Sequence, residues 1–137
     1  MAQKEQVRAF KNELRNYNYY LHRIATLNNS IEWCYDMLGA DPRAVDPSRE
    51  PMHSPPNKDF EYKMRDDIER YRAKLKRVES KIDDISQILS NIENETRMAI
   101  KSVYIEGKQM RTVASKLCLS LGALQNRIDK AIERALE

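Results

Sequence analysis

The chain has 137 residues, with 24 Lys and Arg against 21 Asp and Glu, a formal charge of +3 and 33% charged residues. This is the composition of a soluble protein of about one domain, with little room for a large enzyme core. Only 3 Gly and 5 Pro are present, and no alternating run rich in β-branched residues occurs, so the expected fold is all-α and a sandwich, barrel or doubly wound sheet is excluded. Cys34 and Cys118 lack CxxC spacing, no signal-peptide pattern precedes them, and no apolar run approaches the roughly 20 residues needed to cross a bilayer. The expectation is a cytoplasmic protein with reduced thiols and no membrane partner.

Residues 2–38 contain neither Gly nor Pro. Their apolar positions Val7, Phe10, Leu14, Tyr17, Leu21, Ile24, Ile31, Tyr35 and Leu38 step by three and four, which predicts a long helix with a heptad seam. The seam skips a beat at Asn28, where an apolar residue is due. A polar residue there either fixes register or marks a bend. All five prolines fall between Gly39 and Asn57, so residues 39–58 are read as a Pro-rich loop. Trp33 lies off the seam, with Met37 nearby; it either packs under this loop or, with Tyr19 and Tyr20, belongs to an interface with a subunit or partner.

Beyond the loop, Met64, Ile68, Tyr71, Leu75, Val78, Ile82, Ile85, Leu89 and Ile92 alternate by three and four without a break. Two helices of matched length, each on the order of 50 Å at 1.5 Å per residue, are expected to fold back as an antiparallel coiled-coil hairpin over residues 1–93.

From residue 94 the pattern changes to three short helices: one through IKSVYIE, a break at Gly107, a second near MRTVASKLC, and a last from Leu121 to about Leu136. This spacing predicts a helix-turn-helix over residues 94–137. Ala114 is small where the second helix must approach the third, Leu119 offers an apolar plug for the turn, and Ser120 is a good N-cap. Leu124, Ile128, Ala131, Ile132 and Ala135 form one apolar face of the last helix. That leaves Ser120, Leu121, Gly122, Gln125 and Asn126 free to reach base edges, with the Gln and Asn amides suited to adenine. Lys108, Arg111, Thr112, Lys116, Arg127 and Lys130 are assigned to phosphates, and Asp129 is expected to sit away from the DNA backbone or repel it.

The run YIEGKQMRTVASKLCLSLGALQNRIDKAIERAL resembles the C-terminal promoter-binding region of bacterial sigma factors. The resemblance rests on Tyr104, Glu106, Gly107, Val113, Ala114, Leu117, Ser120, Leu124, Arg127, Ile128, Ala131 and Leu136, and covers the last third of the chain. Cys118 stands in place of the family's usual turn glycine, Ser102 in place of an aliphatic residue, and Thr112 in place of an acidic one. A helical N-terminal region joined to such a module is also similar to small phage late-gene transcription regulators of the RinA and ArpU kind. The resemblance implies a phage or prophage regulator that docks on double-stranded DNA without the promoter-melting region of a complete sigma factor. Its coiled-coil region would set a homodimer or contact RNA polymerase.

Charge points the same way. Residues 94–137 carry eight Lys and Arg against five Asp and Glu, whereas the first 93 residues carry 16 of each sign. Phosphate contacts would therefore concentrate in the last third. His22 and His53 have no partners at ligand spacing, and no HExxH, GxGxxG or P-loop occurs. The pairs Asp66–Asp67 and Asp83–Asp84 read as solvated flanks of the seam. The expectation is therefore a non-enzyme without metal or cofactor. Two other functions fit the same pattern: a small terminase-like packaging subunit, which would assemble into rings, and a helical adaptor or inhibitor that uses the module to bind protein.

Overall fold

A computed structural model describes residues 2–39 and 58–137. The fold is all-α, and no strand occurs among the described residues. In chain order the helices are α1 (Ala2–Arg15), α2 (Tyr17–Gly39), α3 (Lys58–Ser90), α4 (Asn94–Ile100), α5 (Met110–Lys116) and α6 (Leu121–Ala135). A wide turn over Lys101–Ile105 continues α4, closed by a hydrogen bond from the Glu106 N–H to the Lys101 carbonyl, five residues back. Such i→i+5 turns are rare single-turn features of helices. Residues 40–57, most of the expected Pro-rich loop, lie outside the described residues, and so does its expected packing over Trp33. The Trp33 side chain itself is exposed.

Contacts divide the chain into two compact units, and the division does not fall at the boundary after residue 93 that the pattern suggests. One unit joins the residues up to Leu21 with Ser80–Glu137; the other is formed by the described residues of His22–Glu79. The physical reason is α1. Its apolar stripe Val7, Phe10 and Leu14 is buried, and the helix packs on α6 and on the Lys101–Ile105 turn, so both ends of the chain share one core.

In that first unit the core also holds Ile85, Leu89 and Ile92 from the end of α3 and just past it, Ala99 and Ile100 from α4, Val113 and Ala114 from α5, and Leu124, Ile128 and Ile132 from α6. Each fully buried aliphatic side chain contributes on the order of 1.5–3 kcal/mol. Polar contacts tie the unit at two further points. Asn18 Nδ2 donates to the Ile105 carbonyl at 2.8 Å. The buried Tyr20 hydroxyl donates to Glu13 Oε2 at 2.6 Å and accepts from Lys81 Nζ at 3.5 Å. In the second unit, Cys34 of α2 packs with Met64 and Ile68 of α3, with Ile31, Leu38 and Tyr71 around them. Burial, and then the charge of Asp67, pushes the Cys34 thiol pKa upward. The Arg72 guanidinium sits over the Tyr35 ring, 5.5 Å from its centroid, and donates to the Tyr35 hydroxyl.

The seam of α3 follows the expected positions. Met64, Ile68, Ile85, Leu89 and Ile92 are buried, and Tyr71, Leu75, Val78 and Ile82 are half-buried. The seam of the first helical tract departs from expectation. Helix is interrupted at Asn16, whose N–H is shared between the carbonyls of Asn12 and Glu13, both at 3.1 Å. Up to Leu14 the buried residues are the expected ones; beyond it Tyr20, Leu27 and Cys34 are buried in place of Leu21, Asn28 and Tyr35. The steps from Leu14 through Tyr17 to Tyr20 are three and three. This exchanges the order of the three- and four-residue steps beyond Tyr17, as a local overwinding does, while Ile24, Ile31 and Leu38 keep their places. Asn28 is therefore an exposed neighbour of the seam, and the gap in the pattern is filled by Leu27.

Candidate nucleic-acid interface

The site is built by α4, α5 and α6, and each helix end has a local cause. The Lys101–Ile105 turn stops at Gly107, which takes φ +74, a left-handed conformation open to glycine at little cost. The Lys108 N–H then turns back to the Ser102 carbonyl at 2.9 Å. Helix α5 ends in a Schellman arrangement: the Leu119 N–H donates to the Ala114 carbonyl at 2.9 Å and the Cys118 N–H to the Ser115 carbonyl at 3.1 Å. Both bonds satisfy carbonyls that the helix end would otherwise leave bare. The C′ position of that motif is Cys118, at φ 58. Two residues later Ser120 caps the start of α6, its hydroxyl accepting from the Ala123 N–H at 3.1 Å. The turn between α5 and α6 is thus fixed from both sides.

Helix α6 sorts its residues by face. Leu124, Ile128 and Ile132 are fully buried; Ser120, Gly122, Gln125 and Asn126 are exposed and Leu121 is half-buried. The expected base-reading positions therefore share the outward side of the first two turns. Of the expected phosphate residues, Lys108, Arg111, Thr112, Lys116 and Lys130 are exposed. Lys108 is paired with Glu106 at 3.1 Å. Among the described residues, Arg111, Lys116 and Lys130 have no carboxylate within ion-pair distance.

Arg127 is placed differently from the expectation. Its Nε donates at 3.0 Å to Oγ1 of Thr96, a buried polar side chain. Its Nη2 lies 3.5 Å from Glu93 and 3.6 Å from Glu95. The guanidinium ties the start of α4 to α6 and satisfies a hydroxyl that burial would otherwise strand. In the structure the guanidinium is thus a tether between α4 and α6.

The reading by sequence also missed α1. Lys11 forms an ion pair with Asp129, 118 residues away, on the outward side of α6. Lys11 and Arg15 flank the Tyr104 ring, at 5.9 and 5.3 Å from its centroid, which holds α1 against the turn after α4. The signal available in the sequence was the basic stripe Lys4, Arg8, Lys11 and Arg15, spaced by four, three and four along one helix face. Glu5 and Glu13 offset half of it, and the sum over the first 93 residues, 16 of each sign, conceals the rest.

No helix of the described residues is long and apolar enough to cross a membrane, and no group of three or more potential metal ligands occurs among them. No family model matches the chain, and searches of curated proteins and of solved structures also return no match.

Proposed function

We propose that the chain is a sequence-specific regulator of transcription, of phage or prophage type, that binds double-stranded DNA through α5, the turn and α6 in the manner of a sigma-like helix-turn-helix. The observation that carries the reading is the outward side of α6. Gln125 and Asn126 present amides there, beside the small Gly122, while the opposite side of the helix is locked into the core. Amides so placed can pair bidentately with adenine in the major groove, and Leu121 can touch a thymine methyl. Arg111, Thr112, Lys116 and Lys130 supply the contacts to phosphate, which position the helix without reading sequence.

Selection of bound duplexes from a random pool tests the proposal. One enriched motif is expected, and Gln125→Ala or Asn126→Ala relaxes the choice at one base position at a cost of roughly 1–3 kcal/mol. A pool that returns no motif, or a motif unchanged in both variants, removes sequence-specific reading by α6.

A further inference from the structure

The groove of about 680 Å³ between α1 and α6 has Lys4, Arg8, Lys11 and Arg15 on one wall and Asn126, Asp129, Lys130 and Glu133 on the other. Lys11 is spent on Asp129. Lys4 and Arg8 are exposed, and no carboxylate lies within ion-pair distance of either among the described residues. Two free cations thus face the side of α6 that carries Asn126 and Lys130. Of the two acidic residues of α1, Glu5 is not in the lining of the groove and Glu13 is turned to Tyr20 and Lys81.

We infer that this groove seats one strand of the DNA backbone, with Lys4 and Arg8 of α1 contacting phosphates and Lys11 cancelling the charge of Asp129 so that the strand can approach α6. The inference rests on the DNA-binding reading above and adds an element to it. A duplex entered by the outward side of α6 brings a run of phosphates past its flank, and that flank here is α1. Asp129 alone would repel them; paired with Lys11 it presents little net charge. Glu133 adds a second carboxylate to the far wall, but five basic residues against these two acidic ones still leave the groove positive, the sign complementary to a phosphodiester chain.

The test uses the full chain and a mixed-sequence duplex of about 30 base pairs, long enough for charge-driven binding that needs no particular site. Affinity is measured by fluorescence anisotropy over a series of salt concentrations. The double variant Lys4→Gln, Arg8→Gln should flatten the slope of log K against log salt by about 1.8, the value for two lost phosphate contacts. Lys74→Gln with Lys76→Gln, which removes the same charge from α3, should leave the slope as it was. Lys11→Met should weaken binding several-fold, and adding Asp129→Asn should restore it. If Lys4→Gln, Arg8→Gln leaves the slope unchanged while Arg111→Gln, Lys116→Gln flattens it, α1 is no part of the interface and the role of α5 and α6 stands. Equal flattening by the α3 pair also overturns the inference, since net charge alone would then explain the effect. A wild-type chain with no salt-sensitive binding removes the DNA-binding reading and this inference together.

Discussion

Cys118 shows how one residue can be out of keeping with its backbone. A side chain with a Cβ in the left-handed region costs roughly 1–2 kcal/mol, and Cys118 is the non-glycine residue found there among the described residues. Cys118→Gly should relieve that strain and lose part of the gain to the greater freedom of the unfolded chain. The expected net is a stabilisation of about 0.5–1 kcal/mol, read as a rise of roughly 2–5 °C in Tm. Arg127→Met should act in the opposite direction. It strands the buried Thr96 hydroxyl and leaves Glu93 and Glu95 unpaired, for a loss of about 1–3 kcal/mol, most of it from the hydroxyl because half-exposed ion pairs contribute little. The same variant should leave the salt slope of DNA binding unchanged, which separates a tether from a phosphate contact. The Ser120 cap was legible in the sequence because its cause is local, and the close approach at Ala114 because a small side chain marks it. The inward turn of Arg127 was not, since its partners lie 31 to 34 residues away.

Among the helices, the contrast between α2 and α3 marks how far a hydrophobic repeat can be trusted. An unbroken alternation places every seam residue of α3. A single three-three step near Asn16 moves every second seam position of α2 by one residue, and an apolar pattern that offers both Leu21 and Tyr20, and both Tyr35 and Cys34, does not announce the shift. Leu27→Ala should therefore cost about 2–5 kcal/mol in denaturant unfolding, whereas Asn28→Ala should stay within about 0.5 kcal/mol. Where α1, α2 and α3 meet, Tyr20 is held above its ordinary pKa by burial and then by its hydrogen bond to Glu13. Lys81 is raised chiefly by its hydrogen bond to Tyr20 and then by the charge of Glu13. Both groups bind their protons more tightly in the folded chain than in the unfolded one. Their contribution is therefore fully present below about pH 10 and is lost as pH rises through the folded values. Thermal unfolding should show Tm falling above about pH 10, less steeply in the Tyr20→Phe, Lys81→Met variant.

At the scale of the whole molecule, the all-α class followed from composition and periodicity, but the partition of the chain did not. A count of charge by segment assigns the first 93 residues a balance of zero and so conceals the stripe of α1. Only the long-range packing of α1 on α6 brings that stripe beside α6. A regulator with one short reading helix gains affinity and specificity when two copies engage half-sites roughly 34–36 Å apart or a multiple of that. Light scattering at tens of micromolar should accordingly give twice the 16.1 kDa of one chain; a single-chain mass would remove the dimer, and a ring of many subunits would favour a packaging role. The union of α1 with α6 also sets a clock on synthesis. Lys11 and Asp129 stand 118 residues apart, so at about 5–20 residues per second α1 waits roughly 6–24 s on the ribosome for its partner to be made. A message cut short before α6 would release a chain whose Val7, Phe10 and Leu14 have lost their cover, a ready substrate for proteolysis. The union thereby makes burial of α1 depend on translation having run through α6.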